Sequence, residues 1–341
     1  MSAGAATLKV GDPAPRLQVG KWVQGEPVKE FAEGKAYVVE FWATWCGPCV
    51  QTIPHLNEKH EKYKDKGLIV IGQDVFERDE SLVEPFIKKM GSKMTYRVTL
   101  DDKSKQSEGA MAETWMKAAG QEGIPTAFVV DKHGKIAWIG HPMNLKEQLI
   151  EDVLADRLDI KQAAADYERE QANKKQLATL SQQFAMSMQA RNWDEAEARL
   201  NEIEKLLPED QRVRVGIARF QVLTEKKDFA GAYRFADKLS EAQLNDAELN
   251  NSLAWSIATQ PGLENRDLMV AERIAERANK AARGKDANIL DTLARVQFMN
   301  GKKAEAIASQ QKAVDLADTD QKKAFTATLD SYKKGELPPA Q

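Results

Sequence analysis

The sequence predicts two domains of different class: an α/β domain in roughly the first 150 residues and an all-α helical-repeat domain after it. Three observations point there. Before residue 150, short β-branched runs alternate with helical periods and are punctuated by Gly and Pro. Beyond it, Ala, Glu, Lys, Gln and Leu dominate, with few prolines until the tail. Within that second stretch, similar helix-to-helix words recur.

The strands expected in the first half are 36–42, 68–74, 96–100, 126–130 and 136–139; the helices are 47–64, 82–90, 110–119 and 145–158. The run Tyr37-Val38-Val39-Glu40-Phe41-Trp42 reads as a buried strand, and the last two strands flank Asp131-Lys132-His133-Gly134-Lys135, whose glycine suits a hairpin turn. Pro54 falls inside the first helix, where its missing N–H predicts a kink.

In the second half the words Arg191-Asn192-Trp193-Asp194-Glu195-Ala196, Lys227-Asp228-Phe229-Ala230-Gly231-Ala232 and Asn300-Gly301-Lys302-Lys303-Ala304-Glu305-Ala306 mark turns between helices. Ala196, Ala232, Ala271 and Ala306 are small residues suited to helix crossings, at intervals of 36, 39 and 35 residues. A tetratricopeptide repeat runs to about 34. The third unit carries an extra loop over 260–265, and Ile203 takes a position where the pattern expects a small residue. An irregular helical bundle is the rival reading. The expected organisation is an α/β domain at 8–152, a polar connecting helix at 153–175 and tetratricopeptide-like repeats at 176–334, with a frayed tail containing Pro338 and Pro339.

Composition excludes several function classes. With 42% apolar and 30% charged residues the chain belongs with folded globular proteins. A formal charge of −3, with no basic face interleaved with aromatics, argues against nucleic acid as partner. No apolar run approaches the roughly 20 residues of a membrane span. Met1-Ser2-Ala3-Gly4-Ala5-Ala6 has neither the basic nor the apolar region of a secretory signal. The expectation is an extracytoplasmic, periplasmic protein numbered without its signal, with a cytoplasmic one as the alternative.

Trp45-Cys46-Gly47-Pro48-Cys49 holds the only two cysteines of the 341 residues. One Cys-x-x-Cys is half of a zinc site, and no second pair completes it, so no metal is expected. The pair follows a strand and opens a helix, the setting of a redox-active pair. Having no spare thiol suits an oxidising compartment. Cys46 at the helix start should have a lowered pKa, because free N–H groups and the helix dipole favour its thiolate. It would attack a partner disulfide, and Cys49, one turn on and less exposed, would resolve the mixed disulfide. Two buried structural cysteines are the bland alternative.

Residues 8–150 resemble the thioredoxin-like domain of the TlpA/ResA kind, which are extracytoplasmic thiol–disulfide oxidoreductases. The resemblance rests on Val10-Gly11-Asp12-Pro13-Ala14-Pro15, Gly34-Lys35, Phe41-Trp42-Ala43-Thr44-Trp45-Cys46-Gly47-Pro48-Cys49, Pro54, and Gly123-Ile124-Pro125-Thr126-Ala127-Phe128-Val129-Val130-Asp131. It implies a cis bond before Pro125, with Ile124-Pro125 against the cysteines and free to pair with an extended substrate. It also implies a substrate-contact patch from Trp45, Gly47, Pro48, Ile124, Pro125 and Gly140, and no cofactor. By the same resemblance Glu40, six residues before Cys46, would be a buried acid that deprotonates Cys49. Solvent exposure on an edge strand is the alternative for Glu40. Two positions depart from the pattern: Thr52 stands where TlpA-like proteins usually carry a glutamate, and strand 68–74 lacks the lysine that pairs with the acid in thioredoxins.

Other polar residues carry less. His55 and His60 lie five apart, do not share a helix face, and are expected at the surface. Asp101-Asp102 and Asp131 suit strand ends and turns. The expected function is a thiol–disulfide oxidoreductase of protein-disulfide reductase type. Its partners would be disulfide-containing protein clients, an upstream thiol reductant and a protein held by the helical domain. A redox-switched helical-repeat adaptor is the alternative. A peroxiredoxin-type antioxidant is a further one, although the residues before Cys46 do not form the Pro-x-x-x-Thr-x-x-Cys setting of a peroxidatic cysteine.

Overall fold

The computed structural model describes residues 6–263 and 265–339. Residues 1–5, Glu264 of the extra loop, and Ala340 and Gln341 of the tail lie outside the described residues. The chain forms two compact units, Met1–Ala172 and Asn173–Gln341.

The first unit is built on a six-stranded sheet: β1 (Val19–Gln24), β2 (Ala36–Trp42), β3 (Leu68–Asp74), β4 (Arg97–Asp101), β5 (Thr126–Val130) and β6 (Ile136–Gly140), in spatial order β1-β4-β3-β2-β5-β6. β2, β3 and β4 run parallel, while β5 pairs antiparallel with β2, β6 antiparallel with β5 and β1 antiparallel with β4. The bounds of β2, β3 and β5 agree with those read from sequence. β1 was missed: it is a half-exposed edge strand with two register irregularities and a glycine, so it offers no clean alternation.

β2 is buried along its whole length and bonded to a strand on each side. Its side chains alternate between two cores, as a period of two requires. Val38 and Trp42 face one core with Ile53 and Leu56 of α1 (Gly47–Tyr63), Ile87 of α2 (Val83–Met90) and Ile150 of α3 (Glu147–Leu154). Tyr37, Val39 and Phe41 face the other, with Trp115, Phe128 and Tyr167. Glu40 shares parity with Val38 and Trp42, so it points toward α1 from a central strand. The edge-strand alternative is thereby excluded.

Helix α1 continues through Pro54 to Tyr63. The helix expected at 110–119 is instead a π-helical segment, Ala112–Lys117, entered where Asp101 accepts hydrogen bonds from the backbone N–H groups of Met111 and Ala112. His60 corrects an expectation: it is buried at 8% exposure, its ring edge-on to Tyr96, and burial lowers its pKa.

α4 (Ile160–Gln189) begins within the first unit and ends in the second. The second unit continues with α5 (Trp193–Leu206), α6 (Val213–Glu225), α7 (Phe229–Ala242), α8 (Ala247–Thr259), α9 (Leu268–Ala281), α10 (Ala287–Met299), α11 (Lys303–Leu316) and α12 (Thr319–Lys334). α5, α7, α9 and α11 each have 14 residues, and Ala196, Ala232, Ala271 and Ala306 stand fourth in them, all with no exposed surface. Left-handed Arg191, Lys227 and Gly301 reverse the chain before three of these helices. Asn192, Asp228 and Asp267 then cap the starts of α5, α7 and α9 through their side chains. In the longer third connection, Arg266 donates to the carbonyls of Ile257 and Gln260, each at 2.6 Å. No helix among the described residues is long and apolar enough to cross a membrane.

Candidate active site

Cys46 is the N-cap of α1, in extended conformation, and Cys49 lies in the helix's first turn. The two are joined as a disulfide with Cα atoms 5.2 Å apart. Cys46 Sγ accepts the N–H of Cys49 at 3.2 Å. That same N–H, with no acidic residue in the first turn, favours a thiolate on Cys46 once the bond is reduced. Cys46 is 4% exposed and Cys49 is fully buried, so an incoming thiol or disulfide meets Cys46 first.

The opening to Cys46 is a cleft of about 440 Å³ whose walls include Trp45, Gly47, Pro48, Phe76 and Ile124. Gly47 and Pro48 are exposed in the first helical turn. Trp45 is 52% exposed, its indole N–H donates to the Phe76 carbonyl, and the Arg78 guanidinium sits 5.9 Å from its ring. The Ile124-Pro125 bond is cis. Cys46 Sγ lies 3.8 Å from the Ile124 carbonyl oxygen, a contact rather than a hydrogen bond because a disulfide sulfur carries no proton. Pro125 is buried beneath. Gly140 ends β6 opposite Ala127 and is not among the residues lining the cleft.

Glu40, with no exposed surface, is linked to the Cys49 backbone through Thr52. Its Oε1 is 2.8 Å from Thr52 Oγ1 and its Oε2 is 3.1 Å from the Tyr96 hydroxyl. Burial pushes its carboxyl up to about 7, against the pull of those two hydroxyl donors. Thr52 Oγ1 is also 2.8 Å from the Cys49 carbonyl oxygen.

A second buried acid lies at the end of β3, opposite Trp42. Asp74 ends β3 with a buried, unpartnered Oδ2. Burial, then the neighbouring Glu77 charge, pushes it up to about 8. Glu77 is buried too, and it accepts the backbone N–H groups of Thr44 and Arg78, tying the strand-to-helix arm to the segment after β3.

Sequence reasoning had not singled out Phe76, Tyr96, Asp74 or Glu77. Glu77 and Phe76 follow a strand end with no local signature, and Tyr96 is 56 residues from the acid it touches. Among the described residues no group of acids, His or Cys could hold a metal ion.

The family model for AhpC/TSA matches residues 10–139, which enclose the cysteine pair and Pro125. Protein FixW of Rhizobium leguminosarum is 34% identical over 151 residues, spanning 42% of this chain and 66% of FixW, so the chain covers just under two thirds of that relative. Thiol-disulfide oxidoreductase ResA of Bacillus thuringiensis subsp. konkukian is 34% identical over 148 residues, spanning 42% of this chain and 76% of ResA. A solved structure titled a putative thiol:disulfide interchange protein DsbE, from Chlorobium tepidum, is 26% identical and covers 43% of this chain and 99% of its own, with a TM-score of 0.33. Identity of this level over three quarters of ResA's length settles the kinship, and the chain belongs to the ResA family of thiol–disulfide oxidoreductases.

Proposed function

We propose that the protein reduces disulfides in protein clients, cycling its Cys46–Cys49 pair between dithiol and disulfide. The observation that carries this reading is the asymmetry of the pair. One sulfur caps a helix at the floor of an open cleft, and the other is sealed behind it. The Cys46 thiolate attacks one sulfur of the client disulfide, and the other client sulfur leaves with the electron pair and takes up a proton. Cys49 then gives its proton to Glu40 and attacks Cys46. The Cys46–Cys49 bond forms, and the second client sulfur departs as a thiolate. Two electrons pass to the client, and an upstream thiol reductant restores the dithiol.

Trp45, Gly47, Pro48, Ile124 and Pro125 would form the client-contact surface, with the backbone at Ile124 pairing with an extended client segment. Gly140 is assigned to the rim of that surface. The helical repeats from 176 to 334 would hold clients or a partner protein, and the protein would work in an oxidising, extracytoplasmic compartment. The unmatched setting before Cys46 disfavours a peroxidase.

The test is insulin disulfide reduction driven by dithiothreitol. Wild type should accelerate it and Cys46→Ser should not, while Cys49→Ser should trap clients through a bond that reductant releases. If both variants capture partners as wild type does and neither alters insulin reduction, the chain is a helical adaptor instead.

A further inference from the structure

Among the described residues no cation partners Glu40, whose carboxyl is held by Thr52 and Tyr96 alone. From β3 it faces Gly72, from β5 Ala127, from α1 Thr52, whose hydroxyl also reaches the Cys49 carbonyl, and from the segment before β4 the phenol of Tyr96. The lysine expected on β3 by comparison with thioredoxins is absent, and Gly72 stands opposite Glu40 in the ladder. A Cβ at 72 would come within 2.9 Å of Tyr96 Cε2, so the missing side chain makes the room that Tyr96 uses. Tyr96 is 1% exposed, and its own pKa is pushed well above 10 by burial and by Glu40, so it remains a donor throughout. The titratable ring beside it is His60, 6.3 Å away and edge-on, whose pKa is lowered by burial.

Thr52 has one hydroxyl hydrogen and two acceptors at 2.8 Å: Glu40 Oε1 and the Cys49 carbonyl. It serves one at a time. With Glu40 ionised, Thr52 donates to Oε1. With a proton on Oε1, the carboxyl donates to Thr52 Oγ1, and Thr52 donates to the Cys49 carbonyl. A single proton added to Glu40 thus turns the hydroxyl from the sheet toward the first turn of α1.

We propose that Tyr96 and Thr52 are the positioning residues of disulfide resolution: Tyr96 holds the Glu40 carboxyl through Oε2 in place of a lysine, and Thr52 reverses its hydroxyl as Glu40 gains or loses the Cys49 proton. This rests on Glu40 being the proton acceptor in the proposed function. Two neutral hydroxyls stabilise the carboxylate less than an ammonium does, yet they let the acid exchange its proton without an ion pair having to break.

The test uses the reduced full-length chain and a small aromatic disulfide whose released thiolate is coloured. The first release reports attack by Cys46, and the second reports resolution by Cys49. Tyr96→Phe and Thr52→Val each remove a donor to the carboxylate, so each should move the pH midpoint of the second phase up by about one unit. The first phase should keep its midpoint, and Thr52→Ser should restore the second. The part of the oxidised protein's infrared carboxylic-acid band that Glu40→Gln removes should disappear at correspondingly higher pH in both variants. Unchanged midpoints in both measurements, with Glu40→Gln abolishing the pH-dependent step, overturn the positioning roles alone. A second phase that keeps its pH dependence in Glu40→Gln overturns the acceptor role of Glu40 and the proposal with it.

Discussion

Gly72 stands directly opposite Glu40 in the β2–β3 ladder, so the one charged residue of a buried strand faces the one residue of its neighbour that has no side chain. The space belongs to Tyr96 and Trp42: a Cβ on residue 72 would lie 2.9 Å from the Tyr96 ring and 3.1 Å from Trp42 Nε1. Both rings are fully buried and have nowhere to retreat. Gly72→Ala should therefore cost about 1–3 kcal/mol by overpacking. It should also pull the Tyr96 hydroxyl off Glu40, and urea unfolding together with the infrared carboxyl band would register the two effects.

Glu40 makes stability fall as pH rises. Its folded-state pKa is raised, from 4.5 to about 7, so between those values the unfolded chain gives up a proton that the native protein keeps. The loss approaches a ceiling of roughly 3 kcal/mol once the pH passes 7. In the oxidised protein, where neither cysteine titrates, Glu40→Gln should remove this slope. Stability should then match wild type more closely at pH 5 than at pH 8, where the variant should be the more stable, and denaturant melts at the two pH values check it.

Asp74 follows the same sign for a different reason, since a second carboxyl, Glu77, adds to the effect of burial. Native Asp74 keeps its proton up to about pH 8, whereas an unfolded Asp ionises near 3.8. Asp74→Asn should stabilise the protein above pH 8 by at least about 1 kcal/mol. The amide can offer Glu77 a donor that does not titrate. Thermal unfolding at pH 9 and pH 4 is the measurement, and a gain confined to pH 4 would contradict the assignment.

The helical unit makes its own prediction at the crossings. Ala232 has no exposed surface and stands fourth in α7, where its counterparts are also alanines. Ala232→Leu should destabilise that unit by about 1–3 kcal/mol. Insulin reduction should be unaffected, and paired calorimetry and activity assays would separate the two readouts.

The parts legible in the sequence are those fixed by short-range patterns. β2, β3 and β5 show as apolar runs between turn residues, and the cysteine pair shows as a word between strand and helix. The alanines were visible as a spacing, because Ala196, Ala232 and Ala306 each sit five residues past a turn and Ala271 holds the same fourth position in its helix. Residues recruited across the fold were invisible. Thr52 and the missing lysine registered only as departures, because the partner that gives them meaning, Tyr96, arrives from the entry to another strand. His60 read as a surface residue because its burial depends on that same ring.

The two cysteines sit three residues apart within one helical turn, and the chain has no others. Their bond therefore ties no distant segments together, and the polypeptide can be threaded into its native topology whether the pair is open or closed. With a single pairing available, there is no scrambled isomer to correct. The pair can thus open and close repeatedly with no disulfide isomerase needed to set it right.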